Sequence, residues 1–202
     1  GNRLLWPASL RDGRQVYEFL RSNPHWGGPG RASGRDLAES LSPRVLEALV
    51  RSRGVSIIYT HFCARMTEDG LLPPPTIDAL RRLAALARQR RILVTTTRRL
   101  LGYCRACQEV RGELRPNADG TYTLSLRHES AVPDMELPEA DLAGLTFYVP
   151  DPARTEVLWG GLRMHGVRVN RPDETGRPSL SIPWQPLEFP RIGSLGVASY
   201  AW

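Results

Sequence analysis

Four side chains have types and surroundings suited to chemistry: His61, Trp26, Glu68 and Asp69. His61 ends the β-branched run Val55-Ser-Ile-Ile-Tyr-Thr-His61 and is followed by an irregular stretch. A parallel sheet presents catalytic groups at the C-terminal ends of its strands. An imidazole held there can act as general acid or base near neutral pH; the other reading is a histidine that hydrogen-bonds a neighbouring backbone group. Glu68-Asp69, in the loop after His61, suits orienting the imidazole or touching substrate, against a reading as a solvated pair. Trp26, between His25 and Gly27-Gly28, offers an indole face to the apolar side of a sugar ring, or else serves as a core or hinge residue. Arg11 and Arg21 suit a carboxylate or phosphate, a weak signal in so Arg-rich a chain. Cys104-Arg-Ala-Cys107 has the spacing of a zinc or redox motif, but no second such pair accompanies it. It falls in a helical pattern with Leu100 and Tyr103 on its face, so we read two small thiols turned to the core.

The elements that must position these residues follow from hydrophobic periodicity. Arg3–Pro7 is a short apolar run, and Asp12-Gly13 is a turn before Val16, Tyr17, Phe19 and Leu20, which fit strand or helix. Residues 23–34, rich in Gly, Pro and Arg, read as a long loop. Leu37, Leu41, Val45, Leu46, Leu49 and Val50 predict a helix over 36–51, with a break at Ser42-Pro43 and an end at Gly54. Val55–His61 then reads as a strand covered on both faces. Thr76, after Pro75, is placed as N-cap of an amphipathic helix carrying Ile77, Leu80, Leu83 and Leu86. Residues 92–97 read as a further strand and 98–110 as a further helix. Strand and helix alternating at this spacing favour parallel strands with right-handed crossovers.

Beyond Gly112 the period changes to two, with Tyr122, Leu124 and Leu126 alternating with polar residues behind the turn Asp119-Gly120. Short strands follow at 145–149, 156–159, 162–169 and 179–183, divided by Gly and Pro clusters, and Asp173-Glu-Thr-Gly176 is a turn. Trp159, Trp184 and Trp202 read as core residues before sugar-stacking ones, and His128-Glu129 as an isolated pair. The expected fold class is α/β plus all-β. A partial parallel (β/α) barrel-like segment, residues 1–112, precedes an antiparallel β-sandwich-like domain, residues 113–202.

Composition narrows the function classes. Among 202 residues, 41% are hydrophobic, enough for a packed core. No apolar run reaches membrane-spanning length, so no membrane partner is expected. All 27 basic residues are arginine, spread along the chain among acids, so the net charge of +6 reads as coding bias and nucleic acid is not the expected partner. Three cysteines make no disulfide framework.

The segments Ser56-Ile-Ile-Tyr-Thr-His61-Phe62 and Arg91-Ile-Leu-Val-Thr-Thr-Thr97-Arg-Arg-Leu-Leu-Gly-Tyr103, with the loop and Leu-rich helix between them, resemble the end of the catalytic barrel in polysaccharide deacetylase-like proteins, the NodB-type carbohydrate esterases. The likeness spans residues 3–110. In that family a Leu-x-His motif on a late strand supplies the general acid; here the triplet is Tyr59-Thr60-His61, with Tyr in place of Leu. The resemblance implies a hydrolase acting on acetylated carbohydrate, with His61 as general acid and a divalent metal activating water. The family's metal ligands, an Asp-Asp pair and an His-x-x-x-His pair, are absent from this sequence. Together with the start at Gly1, this leads us to expect the C-terminal part of a larger protein, its metal ligands upstream and this chain inactive by itself. The alternative is a non-catalytic carbohydrate-binding or interaction module. Substrate identity, metal, oligomeric state and localisation are not legible in these residues.

Overall fold

The computed structural model describes residues 2–22, 37–60, 72–185 and 187. Its backbone divides into two compact units, Gly1–Glu109 with His128–Leu137, and Val110–Arg127 with Pro138–Trp202. Helix and sheet are both present, in several sheets, some of them antiparallel. Among the described residues no parallel β/α barrel is found, and no helix is long and apolar enough to cross a membrane.

The first unit opens with a hairpin. Strand β1, Leu5–Ser9, pairs antiparallel with β2, Gln15–Phe19, around the turn at Gly13, whose φ of +84° suits a residue without Cβ. Helix α1, Leu37–Ser40, breaks at Ser42, and α2, Pro43–Arg51, begins with proline in its first turn, where the missing N–H costs nothing. Helix α3, Pro74–Arg88, likewise starts on two prolines, with Pro73 as N-cap. Thr76 is therefore not the cap expected from the sequence; it lies inside the first turn, fully buried. Leu37, Leu41, Leu46 and Ala79 form the apolar centre of these helices, with Ile58, Leu83, Leu86 and Ile92 packed against it. Helix α4 is Thr97–Glu109.

Two expected strands of the barrel-like segment come out differently. Residues 55–60 form no strand among the described residues and make a single parallel bridge, Ser22 to Ile58. Residues 93–96 have no ladder partner among the described residues. Helix α3 ends at Arg88; just beyond it Arg90 has a φ of +58°, and the Arg91 amide caps the Leu86 carbonyl at 3.0 Å. Six residues later α4 has begun, with the Thr96 hydroxyl accepting from the Arg99 amide at 3.4 Å. A threonine whose hydroxyl caps a helix outweighs the β-propensity of its neighbours, and Leu93 and Val94 stay exposed.

The second unit holds a four-stranded sheet in the order β3-β4-β6-β7 and a three-stranded sheet in the order β5-β9-β8. Strands β3, Val110–Pro116, and β4, Tyr122–His128, flank the turn at Asp119-Gly120. Strand β5 is Thr146–Tyr148, β6 Thr155–Trp159, β7 Leu162–Arg163, β8 Arg168–Val169 and β9 Ser179–Ser181. Inward alternation buries Leu124, Leu126, Val157 and Leu180. One pairing departs from the expected antiparallel pattern: β4 and β6 are parallel, in register from Tyr122 with Thr155 to Leu126 with Trp159. The long connection between them makes that direction possible, as no hairpin could. Strand β3 was not foreseen, because its alternation is broken by Gly112; that glycine lets Leu126 and Leu124 close over the strand, where a Cβ would meet them at 3.2 and 3.3 Å.

Of the described glycines, Gly144 is the most closely covered. Its φ is +93°, and a Cβ there would fall under 3.0 Å from the Trp184 indole. Trp184 is thus a packing residue first. Gly144→Ala combines backbone strain with overpacking and should cost about 3 kcal/mol in urea unfolding; a loss below about 1 kcal/mol would show that the Trp184 contact is not maintained.

Candidate functional site

His61, Trp26, Glu68 and Asp69 lie outside the described residues, as does Trp202. What is described is the backbone that leads to them. The Ser22 amide donates to the Ile57 carbonyl at 2.6 Å, and the Tyr59 amide donates to the Ser22 carbonyl at 3.1 Å, a parallel ladder step. The Ser22 and Ser56 hydroxyls meet at 3.2 Å, and the Arg21 guanidinium stacks 4.1 Å over the Tyr59 ring. Asn2 fixes the start of the 55–60 run by bonding both the amide and the carbonyl of Val55, at 2.8 and 3.0 Å. Arg21, read from sequence as an anion holder, is thus engaged with an aromatic face, while Asp12 is paired with Arg14 at 2.7 Å on the surface.

The most concentrated polar chemistry among the described residues is elsewhere in the first unit, around Glu109 at the end of α4. This carboxylate is 2% exposed. Its Oε2 accepts from Arg105 Nε at 2.7 Å and from His128 Nε2 at 2.8 Å. Its Oε1 accepts from the Ala131 amide at 3.0 Å and from the Tyr17 hydroxyl. A carboxylate only accepts, so His128 Nε2 carries a proton, and the 3.5 Å approach of Arg105 Nη2 to that same nitrogen is a contact rather than a hydrogen bond. The rest of the Arg105 fork is used on backbone: Nη1 donates to the Glu136 carbonyl at 2.8 Å and Nη2 to that of Met135. The guanidinium also lies 5.3 Å from the centre of the Tyr17 ring.

Helix spacing explains the pair, since residues four apart share a face. Gly102, Arg105, Ala106 and Glu109 are the buried stripe of α4, with Gln108 bonding the Leu5 carbonyl of β1 at 3.1 Å. Chemically the cluster is closed. Four donors occupy the two oxygens, so Glu109 has no free lone pair with which to take a proton from a substrate. It binds this unit's own segment, 128–137, to the helix and to β2. Arg105-x-x-x-Glu109 was the one signal the sequence carried; His128, read there as isolated, and Tyr17 were not legible as its partners because they approach from distant parts of the chain.

The same stripe corrects the reading of the cysteines. The thiols do not face the core: Cys104 is half-buried and Cys107 exposed. Loss of water and the neighbouring Cys107 raise the Cys104 thiol, and loss of water also raises that of Cys107, although a hydrogen bond from Tyr103 pulls the other way. Tyr103 is pushed up from 10.0 to about 12, first by burial and then by Cys107 beside it. In the second unit Asp173 organises the expected turn: it accepts from the Thr175 amide at 2.8 Å and from the Tyr148 hydroxyl, and the Thr175 contacts in particular hold its carboxyl below the usual range.

No group of three or more His, Cys, Asp or Glu side chains suited to a metal ion occurs among the described residues. Comparison with family models, with curated proteins and with solved structures finds no match.

Two outcomes follow. Glu109→Gln leaves Arg105 buried without its counter-charge and should destabilise by about 3–5 kcal/mol in chemical denaturation, whereas Arg105→Met with Glu109→Leu should cost less than the single change. Ultraviolet titration of the six tyrosines should find one ionising only near pH 12. Its raised value means the folded chain holds that proton more tightly, so the stability it contributes is complete below pH 10.0 and falls as pH rises toward 12. The late phase should vanish in Tyr103→Phe; if it remains, the assignment to Tyr103 is wrong.

Proposed function

We propose that this chain is part of a polysaccharide deacetylase-like hydrolase acting on acetylated carbohydrate, with His61 as general acid at the end of the 55–60 run. The single observation that carries the reading is the parallel bridge between Ser22 and Ile58. Two segments run side by side in one direction, one ending at Ser22 and leading toward Trp26, the other at Thr60 and leading to His61. Strands that run parallel deliver the residues after their C-terminal ends to one edge, where ligands bind in α/β sheets. In this reading Trp26 stacks on a sugar ring and Glu68 and Asp69 contact substrate or steer the imidazole.

The residues described do not fit the family's divalent metal: none of them forms a ligand set. No step is therefore assigned through a metal. What His61 contributes is proton transfer to the leaving group, a role worth about 10²- to 10⁴-fold in rate.

The test is acetate release from acetylated oligosaccharides by the full-length protein. His61→Ala should lower kcat by about a hundredfold or more while leaving KM within a few-fold. An unchanged kcat removes His61 from the mechanism. An inactive wild type that nevertheless binds the same oligosaccharides, seen by tryptophan fluorescence, replaces the hydrolase with a carbohydrate-binding module.

A further inference from the structure

The Cys104/Cys107 pair is used neither by the Glu109 cluster nor by the proposed hydrolase site. Its position on α4 is informative. Residues three apart on an α-helix have Cα atoms about 5 Å apart, inside the range that a disulfide spans. Both side chains project from the side of the helix away from the buried stripe: Arg105 and Ala106, which lie between them in sequence, are turned inward, and Cys107 is exposed with Cys104 half-buried beside it. A bond between the two thiols therefore forms on the face opposite the one by which Arg105 holds Glu109 and the backbone carbonyls.

We propose that Cys104 and Cys107 form a solvent-reachable dithiol that closes reversibly to a disulfide within α4 on encounter with a low-molecular-weight disulfide. The balance is complete. The Cys107 thiolate attacks one sulfur of the oxidant, whose S–S bond breaks and releases one thiolate. The Cys104 thiolate then attacks the Cys107 sulfur, breaking the mixed disulfide and releasing the second. Two cysteines are oxidised by two electrons, the oxidant is reduced to two thiols, and the two protons from the cysteines end on those thiols. Cys107 is the entry point because it is the exposed one. Helical Cβ spacing at three residues exceeds the 3.5–4.5 Å of a relaxed disulfide, so the turn must tighten, and a strained disulfide is readily reduced again. The raised thiols make the first step slow at neutral pH.

Oxidised glutathione is the probe, applied to the full chain carrying Cys63→Ser so that only two thiols remain. Intact mass and peptide mapping should show loss of two hydrogens, a Cys104–Cys107 crosslink, no retained glutathione, and full return on adding dithiothreitol. Cys104→Ser in the same background should instead trap one glutathione on Cys107. Retention of glutathione on Cys107 when Cys104 is present, or a crosslink only between two chains, would overturn the proposal.

Discussion

A buried carboxylate is expensive to place, and in this protein one of them, Glu109, decides how the first unit holds together. Desolvating a charged group costs several kcal/mol unless its hydrogen bonds are all made. Glu109 meets that condition by drawing four donors from three parts of the chain: Arg105 on its own helix, Tyr17 from β2, and His128 with the Ala131 amide from the segment 128–131. The Glu129 amide adds a bond to the Glu109 backbone carbonyl at 2.8 Å. Only Arg105 is near Glu109 in sequence. The energetic penalty for leaving the carboxylate unpaired is what makes the arrangement specific, because any register that moves residues 128–131 or β2 strands a charge.

The other end of the same unit is organised by backbone hydrogen bonds rather than charge. There β2 runs on to Ser22, where one ladder step binds it to Ile58, and Asn2 supplies the two bonds that a neighbouring strand would have given Val55. A side-chain amide carries a donor and an acceptor in the geometry of a peptide, so it satisfies an extended segment without a full partner strand. His61 follows Thr60 directly and Trp26 follows Ser22 by four residues, so the shared direction of the two segments is what supports the proposed chemistry.

Much of the local structure was legible, and the reasons differ by element. The break at Ser42-Pro43 and the turns at Asp119-Gly120 and Asp173-Glu-Thr-Gly176 depend on neighbouring residues only, so the sequence states them directly. The alternation that buries Leu124 and Leu126 is equally local. Residues 92–97 misled because β-branched composition says nothing about whether a partner strand exists; the cap at Thr96 decided the matter. The cysteines misled because the helix stripe was drawn through Leu100, Tyr103, Cys104 and Cys107, whereas a charged pair, Arg105 and Glu109, occupies the inward face. Periodicity weighs residues by hydrophobicity and so cannot find a core built on ionic groups. The parallel pairing of β4 with β6 follows from the path of the chain between them and leaves no mark on either strand.

The claim that Glu109 fastens residues 128–131 to the helix is most directly tested by amide hydrogen exchange at Ala131, whose N–H ends on that carboxylate. In the wild type this amide should exchange as slowly as the best-protected amides of α4. In Glu109→Gln it should exchange about a hundredfold faster, with Glu129 following it and the distant α3 amides changing only by the global loss of stability. An Ala131 amide that exchanges rapidly in the wild type, or at one rate in both proteins once global stability is allowed for, would contradict the account.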